Sequence, residues 1–374
     1  MATSVLDMME ANHLTVLRTW AFNDGTKDSY RKPIQPRMGE YSEEGLACLD
    51  WLVAEASNRN LRLILTLLNY WEDYGGMAQY ASWASTPSIP VETKEFYTNE
   101  ICQNAFKAYI SMLLTRVNTI TGRAYKDEPA ILAWSVCNEP RCPADSEIAA
   151  GTVAAWIDGI AAHIKSIDSN HLVTVDTEGF FGPARPEASA NPPSSRHDGC
   201  DFESEIASPH IDFACMHAWV DHWQPNLSLQ EWISWTIEWI KVHNRVCKRV
   251  HKPLILSEFG VPRDRAEFNA AIYKHIEKSI LRETNLAGTC YWQISAAAYK
   301  HGDASTITLE NVSGNPPLKY DLPIARSLVE HANWIRGVDG ARNKGRRPAS
   351  VLGRVAKYCA SWTGYGSPVE AEAN

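Results

Sequence analysis

Two glutamates more than a hundred residues apart stand where an apolar run stops. Residues Ala130 to Cys137 are apolar except for Ser135, and the run ends at Asn138, Glu139 and Pro140. Residues Pro253 to Leu256 lead in the same way into Ser257, Glu258, Phe259 and a turn-forming Gly260. Carboxylates delivered by strand ends invite paired acid–base chemistry. One can protonate a leaving oxygen while the other faces the carbon that loses it, which is what cleavage of a glycosidic bond through an oxocarbenium-like state requires. A separation of about 5–5.5 Å between them implies retention of configuration through a covalent intermediate. Asn138, beside the first glutamate, is placed to hold a sugar 2-hydroxyl. Arg18 ends another strand-like run and can keep a neighbouring carboxylate ionised.

For a single strand-end glutamate a structural ion pair is the common explanation. Two of them, with Arg18, Trp20, His217, Trp219 and Trp292 at or just beyond other strand ends, favour a site. Two of these residues keep a second reading. His217 is equally suited to being a satisfied histidine inside a cleft, and Trp292 to being core, although its place at the end of the last strand favours a platform under a sugar ring.

The elements that must position these groups alternate between strand-like and helical patterns, as in successive βα units. Strand-like runs begin near 14, 61, 130, 171, 211, 253 and 287, the last reaching Gln293. Apolar on both faces, they belong to a parallel sheet covered by helices, with chemistry where strands end. Helical patterns are expected over 3–12, from Ser42 onward with Glu43 and Glu44 on the positive end of the dipole, from about Asn99 to Ile120, over 148–167 and over 229–250, and after Asp264, whose pairing with Glu267 resembles a capping box. Residues 69–76 are too polar for core and too aromatic for an ordinary linker, and 182–205, rich in Pro, Ser, Asn and Gly, read as an extended surface loop.

Seven strands fall one short of a closed (β/α)8 barrel. Because the chain opens on a helix that ordinarily follows a strand, the expectation is an α/β TIM barrel whose first strand is missing from an incomplete N-terminus. Residues 1–338 form the barrel domain in this reading, and 339–374, with Arg342, Lys344, Arg346, Arg347, Arg354 and Lys357, form a basic, flexible tail.

The chain has 374 residues and 45% hydrophobic content, enough for a sizeable core. With 36 basic against 44 acidic residues its net charge is -8, which disfavours nucleic acid, where affinity comes mainly from clustered cations on phosphates. No stretch reads as a membrane span or a signal peptide. The 9 cysteines follow neither a zinc nor a disulfide pattern and read as free thiols, mostly buried. The 12 histidines show no HExxH spacing and no Gly-Xaa-Ser-Xaa-Gly elbow is present, so metal-dependent and serine hydrolases are disfavoured and no cofactor is expected.

Taken together, the Asn138–Cys142 segment, the run from Leu17 to Gly25, the turn from Asn69 to Gly76, Thr115–Asn118, Ile211–Ala214 with His217, and Ser257–Gly260 resemble glycoside hydrolase family 5, specifically the plant and fungal endo-β-1,4-mannanases, in the family's order over about residues 3–310. The resemblance implies a retaining (β/α)8 enzyme with Glu139 as acid/base and Glu258 as nucleophile. It implies that Arg18, Asn138, His217 and Trp292 line the cleaved subsite and that Arg141 contacts sugar on the leaving-group side. Its implied partner is β-mannan or manno-oligosaccharides, bound by an extracellular monomer. Two departures stand out: the first strand is missing, and Trp219 occupies the place of a tyrosine able to donate to the nucleophile. Another family 5 activity, glucanase or transglycosylase, is the alternative in class, and an inactive carbohydrate-binding relative the alternative outside it.

Overall fold

The computed structural model describes residues 2–25, 32–142, 151–193, 199–282, 284–295, 306–307 and 322–343. Seven strands form one parallel sheet in sequence order: β1 (Val16–Trp20), β2 (Arg62–Thr66), β3 (Ile131–Asn138), β4 (Leu172–Asp176), β5 (Ala214–Ala218), β6 (Leu254–Phe259) and β7 (Leu286–Thr289). Each strand is parallel to the next, so all of them present their C-terminal ends at one rim. Helices α1 (Ala2–Ala11), α2 (Glu43–Asn58), α3 (Gly76–Ala84), α4 (Glu100–Thr115), α5 (Thr152–Ile167), α6 (Phe202–Ile206), α7 (Val220–Trp223), α8 (Leu229–Arg249), α9 (Arg265–Leu281) and α10 (Leu322–Asn343) cover the outside. This is a (β/α)8-type barrel with seven strands among the described residues, open between β1 and β7.

The sheet is held by burial on both faces. β5 and β6 are buried at every position, whereas β1 is only half-buried along its whole length. One large apolar cluster packs β1–β4 against α2, α4 and α5, and a second packs β5–β7 against α8, α9 and α10. Tyr109 and Phe106 of α4 are fully buried in the first, Trp232 and Trp239 of α8 almost so in the second.

Helix starts follow their caps. Ser42 accepts from the Gly45 N–H at 3.3 Å, as its position before two acids predicts. Ser228 and Glu231 make a reciprocal capping box for α8. The box expected at Asp264 does not form: Asp264 has φ 50° and no side-chain cap bond, because a left-handed residue turns its carboxylate away from the first helical N–H groups. α4 stops at Thr115, short of Ile120, because Asn118 turns the chain. Its amide donates to Asp50 O at 2.9 Å and its Oδ1 accepts from the Ile120 and Thr121 N–H groups. β5 begins at Ala214 rather than 211, since the Asp212 carboxylate accepts the Val173 N–H that a strand partner would have taken. β7 ends at Thr289, well before Gln293. The 182–205 segment is more structured than a plain loop, with a 3-10 turn at Pro186–Ala190 and α6, which buries Phe202. α10 runs past residue 338 to Asn343, and 344–374 lie outside the described residues.

Free thiols are found at Cys48, Cys102, Cys137, Cys142, Cys200, Cys215, Cys247 and Cys290, five of them buried. No helix of the described residues is long and apolar enough to cross a membrane.

Candidate active site

β3 delivers Asn138 as its last residue, and Glu139 follows with φ 47°. Left-handed backbone at a non-glycine residue costs free energy and marks positions held by their surroundings. Here the Glu139 N–H donates to Asp176 O at 2.7 Å, fixing the turn. In β6, Glu258 sits directly across the ladder from His217 of β5. Both glutamates and His217 are buried.

His217 stands between the two carboxylates. Its Nδ1 lies 2.5 Å from Glu139 Oε1 and 3.7 Å from Glu258 Oε2. One oxygen from each glutamate and one histidine nitrogen all lie within 4.8 Å of one another. The other oxygen of Glu139 accepts from Trp71 Nε1 at 2.6 Å, and the other oxygen of Glu258 accepts from Arg18 Nη1 at 2.5 Å. Arg18 also donates to Asn138 Oδ1 at 2.6 Å and places Nε 2.9 Å from Asp176 Oδ2. Asn138 in turn donates to Asn69 Oδ1 at 3.0 Å. A single guanidinium thus ties β1, β3, β4 and β6 together at their site ends.

Burial works against charge on every one of these groups. For Glu139 the hydrogen bond and charge of His217, with the Trp71 donor and the Arg141 charge, outweigh it and hold the carboxyl below the usual glutamate range. For Glu258 burial wins, and the carboxyl lies above that range although His217 and Arg18 pull it down. His217 would be lowered by burial, yet the two glutamates raise it above an ordinary histidine. Asp176, which burial would raise, is held low by Arg18, His217 and Ser135. Arg18 stays firmly charged against its own desolvation because Asp176 and Glu258 flank it.

The aromatic residues frame the cleft. Trp20 and Trp292 lie 5.9 Å apart between ring centroids, and Arg18 stacks over Trp20 at 5.0 Å. Together they line a cavity of about 760 Å³ that runs down between β1 and β7. Arg141 pairs with Glu178 through two contacts of 2.5 Å and lies over the Trp71 ring at 4.9 Å. Burial and the Glu139 charge push the Glu178 carboxyl up to about 8 despite that pairing. Trp219, just before α7, stacks on His222 at 5.5 Å and makes no hydrogen bond to Glu258.

Glu139, Glu258, Arg18, Asn138 and His217 therefore form one hydrogen-bonded cluster. Trp20 and Trp292 adjoin it, Arg141 sits at its edge through Trp71, and Trp219 stands apart. Sequence reasoning passed over three contributors. Trp71 was marked only by its crowded polar and aromatic turn, although at 40% exposure it is one of the few large aromatic surfaces left open. Asp176 and Glu178 ended a strand as Glu139 does, a signal that was available.

The sequence matches the model of the glycoside hydrolase family 5 beta-mannosidase-like proteins over residues 2–318. The chain belongs to that family. Among family 5 relatives, it is 37% identical over 304 residues to mannan endo-1,4-beta-mannosidase 5 of Arabidopsis thaliana and 38% identical over 292 residues to mannan endo-1,4-beta-mannosidase 7 of the same plant. These alignments cover 77% and 75% of this chain, which spans 69% and 66% of those proteins' lengths. Its fold superposes on the endo-1,4-beta-mannanase of Rhizomucor miehei with a TM-score of 0.73 at 32% identity, covering 90% of this chain and 91% of that one. It is a glycoside hydrolase by family. Glu139, His217 and Glu258 are spaced closely enough to ligate a divalent ion, but a metal-bound histidine must be neutral, and the two glutamates favour the charged form of His217.

Proposed function

We propose that the chain hydrolyses internal β-1,4-mannosidic linkages of mannan, glucomannan or galactomannan with retention, Glu139 acting as general acid/base and Glu258 as nucleophile. The observation that carries this is the carboxylate pair bracketing His217, with one oxygen of each glutamate within 4.8 Å. An approach within 4.8 Å accords with the about 5–5.5 Å of double-displacement glycosidases rather than with the about 6.5–9.5 Å of inverting ones.

In the reaction, Glu258 attacks the anomeric carbon while Glu139 protonates the departing sugar oxygen; Glu139 then deprotonates the water that releases the product. The acid step needs a proton on Glu139. In the unliganded site His217 and Trp71 donate to Glu139 and favour its charged form. His217 is 3.7 Å from Glu258 Oε2, so a small shift towards Glu258 transfers the stabilisation to the nucleophile and frees Glu139 to hold the proton. Arg18 keeps Glu258 oriented, and Asn138, held by Arg18 and Asn69, is placed for the 2-hydroxyl. Trp20 and Trp292 offer ring faces to the sugar that is cleaved, and the Arg141–Trp71 stack offers a surface to the leaving-group side. Trp219, stacked on His222, makes no contact with the nucleophile.

In this reading residues 1–338 form the catalytic unit, working outside the cell as a monomer on a polymeric partner. Reducing-end release from galactomannan, cellulose and xylan tests the assignment. Release from galactomannan alone supports it; release from cellulose with none from galactomannan assigns the pair to a glucanase instead.

A further inference from the structure

Helix α8 reaches the site through two residues one turn apart. Trp239 donates its indole N–H to His217 O at 3.0 Å, and His243 places Nε2 2.7 Å from Gly179 O. His243 is fully buried among the rings of Trp239, Phe202 and Phe181, whose centroids lie 4.2, 4.6 and 4.7 Å from its own. Gly179 has φ 97°, and a Cβ there would stand 2.4 Å from His243 Nε2, so glycine is what lets the imidazole approach this carbonyl. The residues on either side of Gly179 both hold Arg141. Glu178 pairs with the guanidinium through two contacts of 2.5 Å, and the guanidinium lies 5.5 Å over the Phe180 ring. The Gly179 carbonyl is thus the anchor of the seat on which Arg141 rests.

We propose that His243 is a positioning residue for the leaving-group side of the cleft: by donating to Gly179 O it fixes the turn of Glu178 and Phe180, and through them the direction in which Arg141 meets the departing sugar. This rests on the reading that places Arg141 on that side. Two carbonyls compete for the imidazole, since Nδ1 lies 2.7 Å from Trp239 O. Burial pushes the His243 pKa down to about 4, so near neutral pH the ring carries one N–H. Trp239 O, four residues back in α8, has the helix's own amide for a partner. Gly179 O is buried and, among the described residues, takes only His243. A buried carbonyl left without a donor costs free energy, which puts the proton on Nε2.

The test compares, in the full chain, His243→Gln, whose amide still reaches Gly179 O, with His243→Asn, whose amide falls short of it. His243→Phe, which fills the aromatic pocket and lacks the donor, takes the place of His243→Asn where that variant does not fold. The Nε–H signal of Arg141 in nitrogen-edited NMR reads the seat without substrate. It should be sharp in the unsubstituted chain and in His243→Gln, and broadened in His243→Asn. Kinetics are then read on a manno-oligosaccharide and on an aryl manno-oligoside, whose phenol leaves without a sugar on the Arg141 side. His243→Asn should raise KM for the oligosaccharide about tenfold, as one lost hydrogen bond does, and change kcat/KM for the aryl substrate by less than about twofold. His243→Gln should recover most of that loss. In an Arg141→Ala background His243→Asn should add nothing, because the two act in one chain of contacts. Equal losses on both substrates, an undiminished effect in the Arg141→Ala background, or an Arg141 signal that His243→Asn leaves unmoved overturns the proposal. Failure of the mannanase reading looks different: the unsubstituted chain then cleaves neither substrate, and the Arg141 signal still decides the role of His243.

Discussion

The Nδ1 of His217 lies 2.5 Å from Oε1 of Glu139, and that contact favours the charged form of Glu139, whereas burial holds the Glu258 carboxyl above the usual range. With Trp71 on its other oxygen, Glu139 is the better-solvated member of the pair. The acid of the proposed mechanism is therefore the carboxyl held low in the unliganded site, and that hold loosens as His217 turns to Glu258.

Replacing Glu139 with Gln removes the proton donor and keeps the Trp71 contact. Turnover of mannan is expected to fall about 10²–10⁴-fold. An aryl mannoside with a good leaving group should lose less in the glycosylation step. Steady-state kinetics on both substrates check this; equal losses on the two would remove Glu139 from the acid role.

Trp71→Phe deletes a hydrogen bond that favours the charged form of Glu139, so its pKa rises. A general acid works while protonated. The basic limb of the kcat/KM profile should accordingly move to higher pH, with the acidic limb less affected. An unmoved basic limb would mean that Trp71 serves only as a surface for sugar.

Arg18→Ala leaves Asp176 and Glu258 buried without their shared cation. Removing one partner of a buried ion pair costs about 3–5 kcal/mol, and this variant should lose stability of that order together with activity. Denaturant unfolding measures it. A loss below about 1 kcal/mol, the range of exposed pairs, would contradict the central bracing role given to Arg18.

Asp50 offers a test remote from the chemistry. Its carboxylate takes Arg116 at 2.8 Å, Tyr125 at 2.7 Å and Thr119 at 2.8 Å, and these donors hold it below the usual range against its burial. A depressed carboxylate stabilises the fold above its unfolded pKa and loses that contribution as pH falls through the folded one. Asp50→Asn should thus destabilise near neutral pH with KM unchanged, and the difference from the unsubstituted chain should shrink in acid. A difference independent of pH would place the effect in packing.

Much of this was legible in the chain because buried parallel strands announce themselves as apolar runs, and those runs stop at Asn138–Glu139 and Glu258. The seven strands and the capping at Ser42 follow from local chemistry. What local chemistry could not show was competition from distant side chains. Asn118 ends α4, Asp212 delays β5, and the left-handed backbone at Asp264 disables its capping box. Trp71 was missed for the same reason. Its indole meets Glu139 only because β2 and β3 are neighbours, a fact of topology rather than of the loop's own composition. The raised carboxyl of Glu178 likewise depends on its burial and on Glu139 across the cleft.

The most direct test is proton NMR of the first products released from a soluble manno-oligosaccharide. Two carboxylates within 4.8 Å of each other predict that the β-anomer appears first and mutarotates later, with Glu258→Ala releasing none. An α-anomer formed first would contradict the double-displacement assignment, and failure to cleave any β-mannan would contradict the mannanase reading itself.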